Sequence, residues 1–273
     1  MWLKTKIISS GNAPKKSLRD YLPKLAPEQR AESERRLYEA GIVRTDKNNY
    51  NIYSDTPWAL FLANYQVVIN IKEVVGPNFQ YALFALAEII WDRPDLIGKM
   101  DIFIEPFSKL AEASGKMLGE MASAFYFLRE LVSVRPDLAE KIDMFTVPLG
   151  KHIARAGTDT QTSLLELIKT CPNLAEKLNE LVKIVEAAQR GSGDLCNTIS
   201  QIIVLCPELA NKIDSFVLLA QKFGETTAVI YGILFNMLKE KLLAEDNIDQ
   251  VVRELIRDGE KALQRMKEQV NVA

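Results

Sequence analysis

The chain has 273 residues, 48% hydrophobic and 26% charged, with a formal net charge of −2. That length and balance exclude a disordered polymer, and the near-neutral total excludes a surface built throughout for a polyanion. Three cysteines without a CxxC pair and no run of eighteen apolar residues predict a reduced, soluble, cytoplasmic protein with no membrane partner.

The first residues, "MWLKTKIISSGNAPKK", lack the apolar stretch of a secretory signal. Residues 1–44 hold ten Lys/Arg against five Asp/Glu, so this end is basic and the remainder is acidic. "APEQRAESERRLYEAG" predicts a helix with proline near its start and Gly41 as its stop. "IVRT" and "YNIY", around the polar "DKNN", predict a small hairpin. The preferred reading of residues 1–54 is a basic helix-and-hairpin cap. A helix followed by a hairpin also bears a superficial resemblance to the end of a winged-helix DNA-binding domain. That gives an alternative, a nucleic-acid-associated regulator using Lys15, Lys16, Arg19, Arg35, Arg36 and Arg44. Pro14 and Pro23 fall where such a domain needs another helix.

"TPWALFLANYQVVINIKEVVG" predicts a first long helix, ahead of a second that ends near Trp91. From there the chain repeats itself. "RPDLIGKMDIF" begins at Arg93, "RPDLAEKIDMF" at Arg135, "CPNLAEKLNEL" at Cys171 and "CPELANKIDSF" at Cys206. Aligned on Pro94, Pro136, Pro172 and Pro207, three columns are apolar throughout. They are Leu96/Leu138/Leu174/Leu209, Met100/Ile142/Leu178/Ile213 and Phe103/Phe145/Leu181/Phe216. Offsets of 2, 6 and 9 from the proline predict an amphipathic helix with one buried stripe. Proline suits its first position, and the acid after it stands four residues before Lys99, Lys141, Lys177 or Lys212, a helix-stabilising spacing where charged.

Before each proline, a second helix is predicted. Its buried stripe is Leu86/Ile89/Ile90, Leu128/Leu131/Val132, Leu164/Leu167/Ile168 and Ile199/Ile202/Ile203. Breaks are placed at Gly115, Gly157, Gly191 with Gly193, and Gly224. The unit is thus two antiparallel helices of about 35 residues, a period that marks repeat architectures. "GETTAVIYGILFNMLKEKLL" and "NIDQVVRELIRDGEKALQRMKEQV" predict two closing helices.

The arrangement resembles armadillo- and HEAT-type α-solenoids over about residues 55–273. The resemblance implies an all-α fold, a right-handed α-solenoid of two-helix repeats. Its plan is a cap at 1–54, a solenoid at 55–245 and a capping helix at 246–273. Such folds act as non-enzymatic scaffolds that bind macromolecules. The final helix also offers a route to a homodimer.

The surface of the second helices yields further columns. Six before the prolines stand Glu88, Glu130, Glu166 and Gln201. Ten before stand Phe84, Tyr126, Thr162 and Asn197; thirteen before stand Tyr81, Ser123, Asp159 and Asp194. Tyr81, Phe84, Glu88, Tyr126, Glu130, Thr162, Glu166, Asn197 and Gln201 form a candidate protein-binding strip, suited to a partner with a basic segment. The same columns suit a solvated helix face equally well.

Catalytic signals are absent. His152 is the one histidine, without a cysteine or histidine at zinc-ligand spacing. "GSGD" at Gly191 lacks the strand and GK[ST] of a phosphate loop and is predicted to be an interhelical turn. Cys171 and Cys206 occupy the slot of Arg93 and Arg135 and are expected as free thiols; Cys196 is expected in the core. No cofactor or metal is predicted, and no enzyme.

Overall fold

The computed structural model of the chain describes residues 21–43, 55–115, 118–156, 158–188, 192–205 and 207–223, with further helical positions between 250 and 265. These residues are helical or in short connections, with no strand among them. The expected hairpin lies outside the described residues except for Ile42 and Val43, as do Gly157, Gly191, Gly224, Cys206 and most of the two closing helices.

Helix α1 spans Pro27–Glu39. Proline occupies its first position, where the missing N–H costs no helical bond, and the Gln29 side chain accepts from Ala26 N at 3.0 Å. Its end is fixed by Gly41 at φ 71°. There Gly41 N donates to Tyr38 O and Ile42 N to Leu37 O, both at 2.8 Å. This pattern satisfies the last carbonyls and brings Leu37 against Ile42, both buried. Lys72, from a later helix, donates to Ala40 O at the same helix end. The cap helix is thereby pinned to the body.

The long helix expected at 56–76 is two helices, α2 (Asp55–Ala63) and α3 (Tyr65–Val75). Asn64 breaks it with φ −129° and ψ 34°. Its side-chain amide donates to Leu60 O at 3.1 Å, the local competition with the backbone for which Asn is a poor mid-helix residue. Helix α4 follows at Phe79–Asp92.

The proline segments differ from the expected continuous helix. Pro94–Phe103 and Pro136–Phe145 are 3₁₀ helices with non-helical kinks at Lys99 and Lys141. Pro172–Lys177 and Pro207–Lys212 are shorter 3₁₀ helices. Proline keeps the residue before it out of the helical region, with φ near −130° and ψ of 68°, 79° and 86° at Arg93, Arg135 and Cys171. The N–H of that residue closes the preceding helix, Arg93 on Ile89 O, Arg135 on Leu131 O and Cys171 on Leu167 O. Its carbonyl then accepts from the leucine three residues on, Leu96, Leu138 or Leu174, each at 3.0 Å. Each junction therefore closes one helix and opens the next in a single residue.

Regular helix resumes as α5 (Ile104–Ser114), α6 (Leu118–Val134), α7 (Thr158–Thr170), α8 (Leu178–Ala188), α9 (Ser192–Leu205) and α10 (Ile213–Phe223). Gly115, at φ 74°, ends α5 as expected. Helix α9 starts at Ser192, so the expected turn at Gly191–Asp194 is already its first turn from that residue on. Between Pro136–Phe145 and α7, the chain makes a π turn at Pro148–His152 and a 3₁₀ turn at Ile153–Arg155 instead of an α-helix.

Two layers result. In one, α3 packs on α5, α5 on the π turn, the π turn on α8 and α8 on α10. In the other, α4 packs on α6, α6 on α7 and α7 on α9. The predicted stripes face each other between the layers. Every member of the six apolar columns lies in the buried core. Phe107 anchors it, edge-on to Phe125 at 5.1 Å and tilted against Phe103 at 5.7 Å. Cys196 is fully buried, and its thiol is pushed up to about 12 by that burial.

Candidate interaction face

The outer side of the α4, α6, α7 and α9 layer carries the predicted strip. Tyr81, Phe84 and Glu88 are part-buried on α4; Tyr126 is 49% exposed on α6. Thr162, Glu166, Asn197 and Gln201 are exposed on α7 and α9, and Glu130 is part-buried. Contacts join the first three helices of the row. Arg129 of α6 lies over Phe84 of α4 at 5.4 Å and over Tyr126 at 4.7 Å. It also donates to Glu130. Lys169 of α7 pairs with Glu166 at 2.9 Å and feels the charge of Glu130 across the helix boundary. The Glu166 carboxylate holds its ammonium more firmly protonated than usual.

Two residues change the character predicted for this strip. Its acids at 130 and 166 are each paired with a base, so the face is a mixed-charge surface with aromatic components. Arg129 is only 8% exposed and occupies a column whose other members include the buried Ala87 and Leu165. A charge in an apolar column was the available sign of a special role. Burial of a guanidinium is tolerable here because two ring faces and a carboxylate surround it. Trp91, also overlooked in the columns, is 48% exposed one turn beyond Glu88 on α4.

The basic residues of the alternative reading are placed differently. Arg35 pairs with Glu32 at 2.6 Å and Glu39 at 2.5 Å; Arg36 pairs with Glu32 at 2.9 Å. Hydrogen bonds from Arg35 and Arg36 lower the Glu32 carboxyl below its usual range. Helix α1 thus presents an internally paired surface. Lys15, Lys16, Arg19 and Arg44 lie outside the described residues.

His152 is part-buried in the π turn, with Nδ1 2.5 Å from Glu186 Oε1 of α8. Among the described residues, no three of His, Cys, Asp and Glu gather where they could hold a metal ion. No described helix is long and apolar enough to cross a membrane. Cys171 is a part-buried free thiol at the junction slot.

Comparison with protein-family models, with curated proteins and with solved structures finds no match to this chain. The geometry of the exposed face is therefore what any functional reading rests on.

Proposed function

We propose that the chain is a non-enzymatic scaffold of armadillo/HEAT-like α-solenoid class that holds a protein partner on the outer face of α4, α6, α7 and α9. The observation that carries the reading is Tyr126. It is a half-exposed aromatic residue, backed by the nearly buried Arg129, which is itself held against Phe84 of the neighbouring helix. An amphipathic ring on a rigid, charge-fixed backing is the kind of residue that dominates protein interfaces. Exposed Asp159, on the same helix as the Glu166–Lys169 pair, favours a partner segment carrying basic residues.

The test is quantitative recovery of interacting proteins with wild type and with the double reversal Glu130→Lys/Glu166→Lys. A partner recovered by wild type is lost with the double variant at unchanged helicity. It is retained with Met144→Glu, which alters an exposed residue in a proline segment and leaves this face intact. Equal recovery by all three proteins removes the reading.

A further inference from the structure

The unit that starts at Pro136 is built unlike its neighbours, and the differences converge on one place. Where the other units have a regular helix, α5, α8 or α10, this one has the π turn Pro148–His152 and the 3₁₀ turn Ile153–Arg155. Pro148 is not the cause, since Pro106 stands at the same offset from its repeat proline inside the regular helix α5. Irregular winding inside a helical position is a feature of hinges. In the other layer, α6 and α7 meet over a shorter stretch than α4 with α6 or α7 with α9, and the turn Ile153–Arg155 fills in beside α6.

This short segment is wedged between the two sides and tied to both. Toward the N-terminal side, Gly150 lies so close to α5 that a Cβ there would fall 2.9 Å from Leu110 O, and Arg155 reaches Glu120 of α6 at 3.4 Å. Toward the C-terminal side, His152 meets Glu186 of α8. The buried Gln161 of α7 donates to Ile153 O at 3.0 Å and Ala156 O at 2.9 Å, carbonyls at the end of the irregular winding. One further contact bypasses the wedge. Arg135, just past the end of α6, clamps Pro172 O at 3.1 Å and Glu176 at 2.9 Å, just past the end of α7.

We infer that residues 146–156 are a hinge between the α4–α6 side and the α7–α9 side, and that the Arg135 clamp on Pro172 and Glu176 is its latch. With the latch closed, the angle between α6 and α7 is fixed. With it open, the sparse α6–α7 contact and the irregular wedge let that angle vary. If the outer face is the binding face, as proposed above, the hinge sets the spacing between Tyr126 on α6 and Thr162 on α7. The latch stands whether or not a partner binds there.

The experiment measures distance distributions by paired spin labels in the full chain, with the native cysteines replaced. One label pair, at positions 66 and 197, spans the hinge; a control pair, at 162 and 197, lies on its C-terminal side. Arg135→Ala and the milder Glu176→Gln are compared with Arg93→Ala, which opens the equivalent clamp one unit earlier. Circular dichroism checks that each variant is folded. The inference expects Arg135→Ala to widen the 66–197 distribution at least twofold, Glu176→Gln to widen it less, and the 162–197 distribution to stay unchanged. An unchanged 66–197 distribution in both variants overturns it. So does widening of both pairs together, or equal widening at 66–197 by Arg93→Ala.

Discussion

Arg135 Nη1 donates to the carbonyl oxygen of Pro172 at 3.1 Å, across one whole repeat unit. Arg93 makes the same bond to Pro136 O at 2.9 Å. Each guanidinium also forks the Asp two residues on, Asp137 or Asp95, and reaches Glu176 or Glu140 in the next unit. At these two junctions the acid after the proline is therefore paired with the arginine before it and not with the lysine four residues later. At the third junction Cys171 replaces the arginine and Asn211 stands in the glutamate column; there Lys177 donates to Asn211 O at 3.1 Å instead.

The arginine clamps contribute to stability because their side chains are mostly buried while their acidic partners remain partly in water. Arg135→Ala is expected to cost about 1–2 kcal/mol in chemical unfolding, the range for hydrogen bonds to charged groups tempered by exposure. Rebuilding the missing clamp with Cys171→Arg/Asn211→Glu is expected to add about 0.5–1 kcal/mol. A gain from the double variant larger than the sum of its singles is the signature of the pair.

Leu174 tests the register of the repeat. It is 1% exposed in the core, so Leu174→Ala is expected to cost about 2–5 kcal/mol by calorimetry or denaturant titration. A loss below 1 kcal/mol contradicts the packing described for that column.

Much of this architecture is legible in the sequence, and the reason is period. Leu96, Leu138, Leu174 and Leu209 recur because each faces the same interlayer space, and apolar recurrence at helical spacing reports burial directly. What periodicity does not separate is an α-helix from a 3₁₀ turn followed by one; offsets 2, 6 and 9 suit both, so the pattern does not show the kinks at Lys99 and Lys141. The clamps are hidden in the sequence for another reason. Arg93 and Arg135 share their slot with Cys171 and Cys206, and a column with two chemistries reads as a tolerant junction. On the outer face, Tyr126 is half-exposed while Glu130 is part-buried. The columns mark Arg129, one residue away, as a charge in an apolar column, but that it folds under Tyr126 and pairs with Glu130 depends on side-chain direction, which periodicity does not carry.

Gly150 marks the closest approach between the irregular turn and α5. A Cβ there would lie 2.7 Å from Ala113 Cβ, 2.8 Å from Ser114 N and 2.9 Å from Leu110 O, and the latter two are backbone atoms that cannot swing aside. Gly150→Ala is expected to cost about 1–3 kcal/mol. Gly98→Ala, where a Cβ meets nothing within 4 Å, is the control and is expected to be near neutral. Thermal unfolding of the two variants side by side distinguishes them.

The clamps also set an acid limb of stability. The hydrogen bond from Arg135 holds the Asp137 carboxyl below its ordinary value of 3.8, and Arg93 does the same for Asp95. A carboxyl whose folded pKa is lowered stabilises the fold fully above the unfolded value and loses that contribution as pH falls through the folded value. The stability difference between wild type and Arg135→Ala is therefore expected to be constant from pH 7 to about pH 5 and to shrink below about pH 4. Denaturant titrations across that range measure it; a difference that grows on acidification contradicts the assignment.

If the outer face of α4, α6, α7 and α9 receives a protein partner, as proposed, Tyr126 lies against it. A benzophenone-bearing amino acid placed at 126, and separately at 144 as a control, is irradiated in cells expressing the full chain. A discrete crosslinked protein is expected at 126, absent at 144 and absent at 126 when Glu130→Lys/Glu166→Lys is added. No crosslink at 126, or the same crosslinks at both positions, contradicts the proposal.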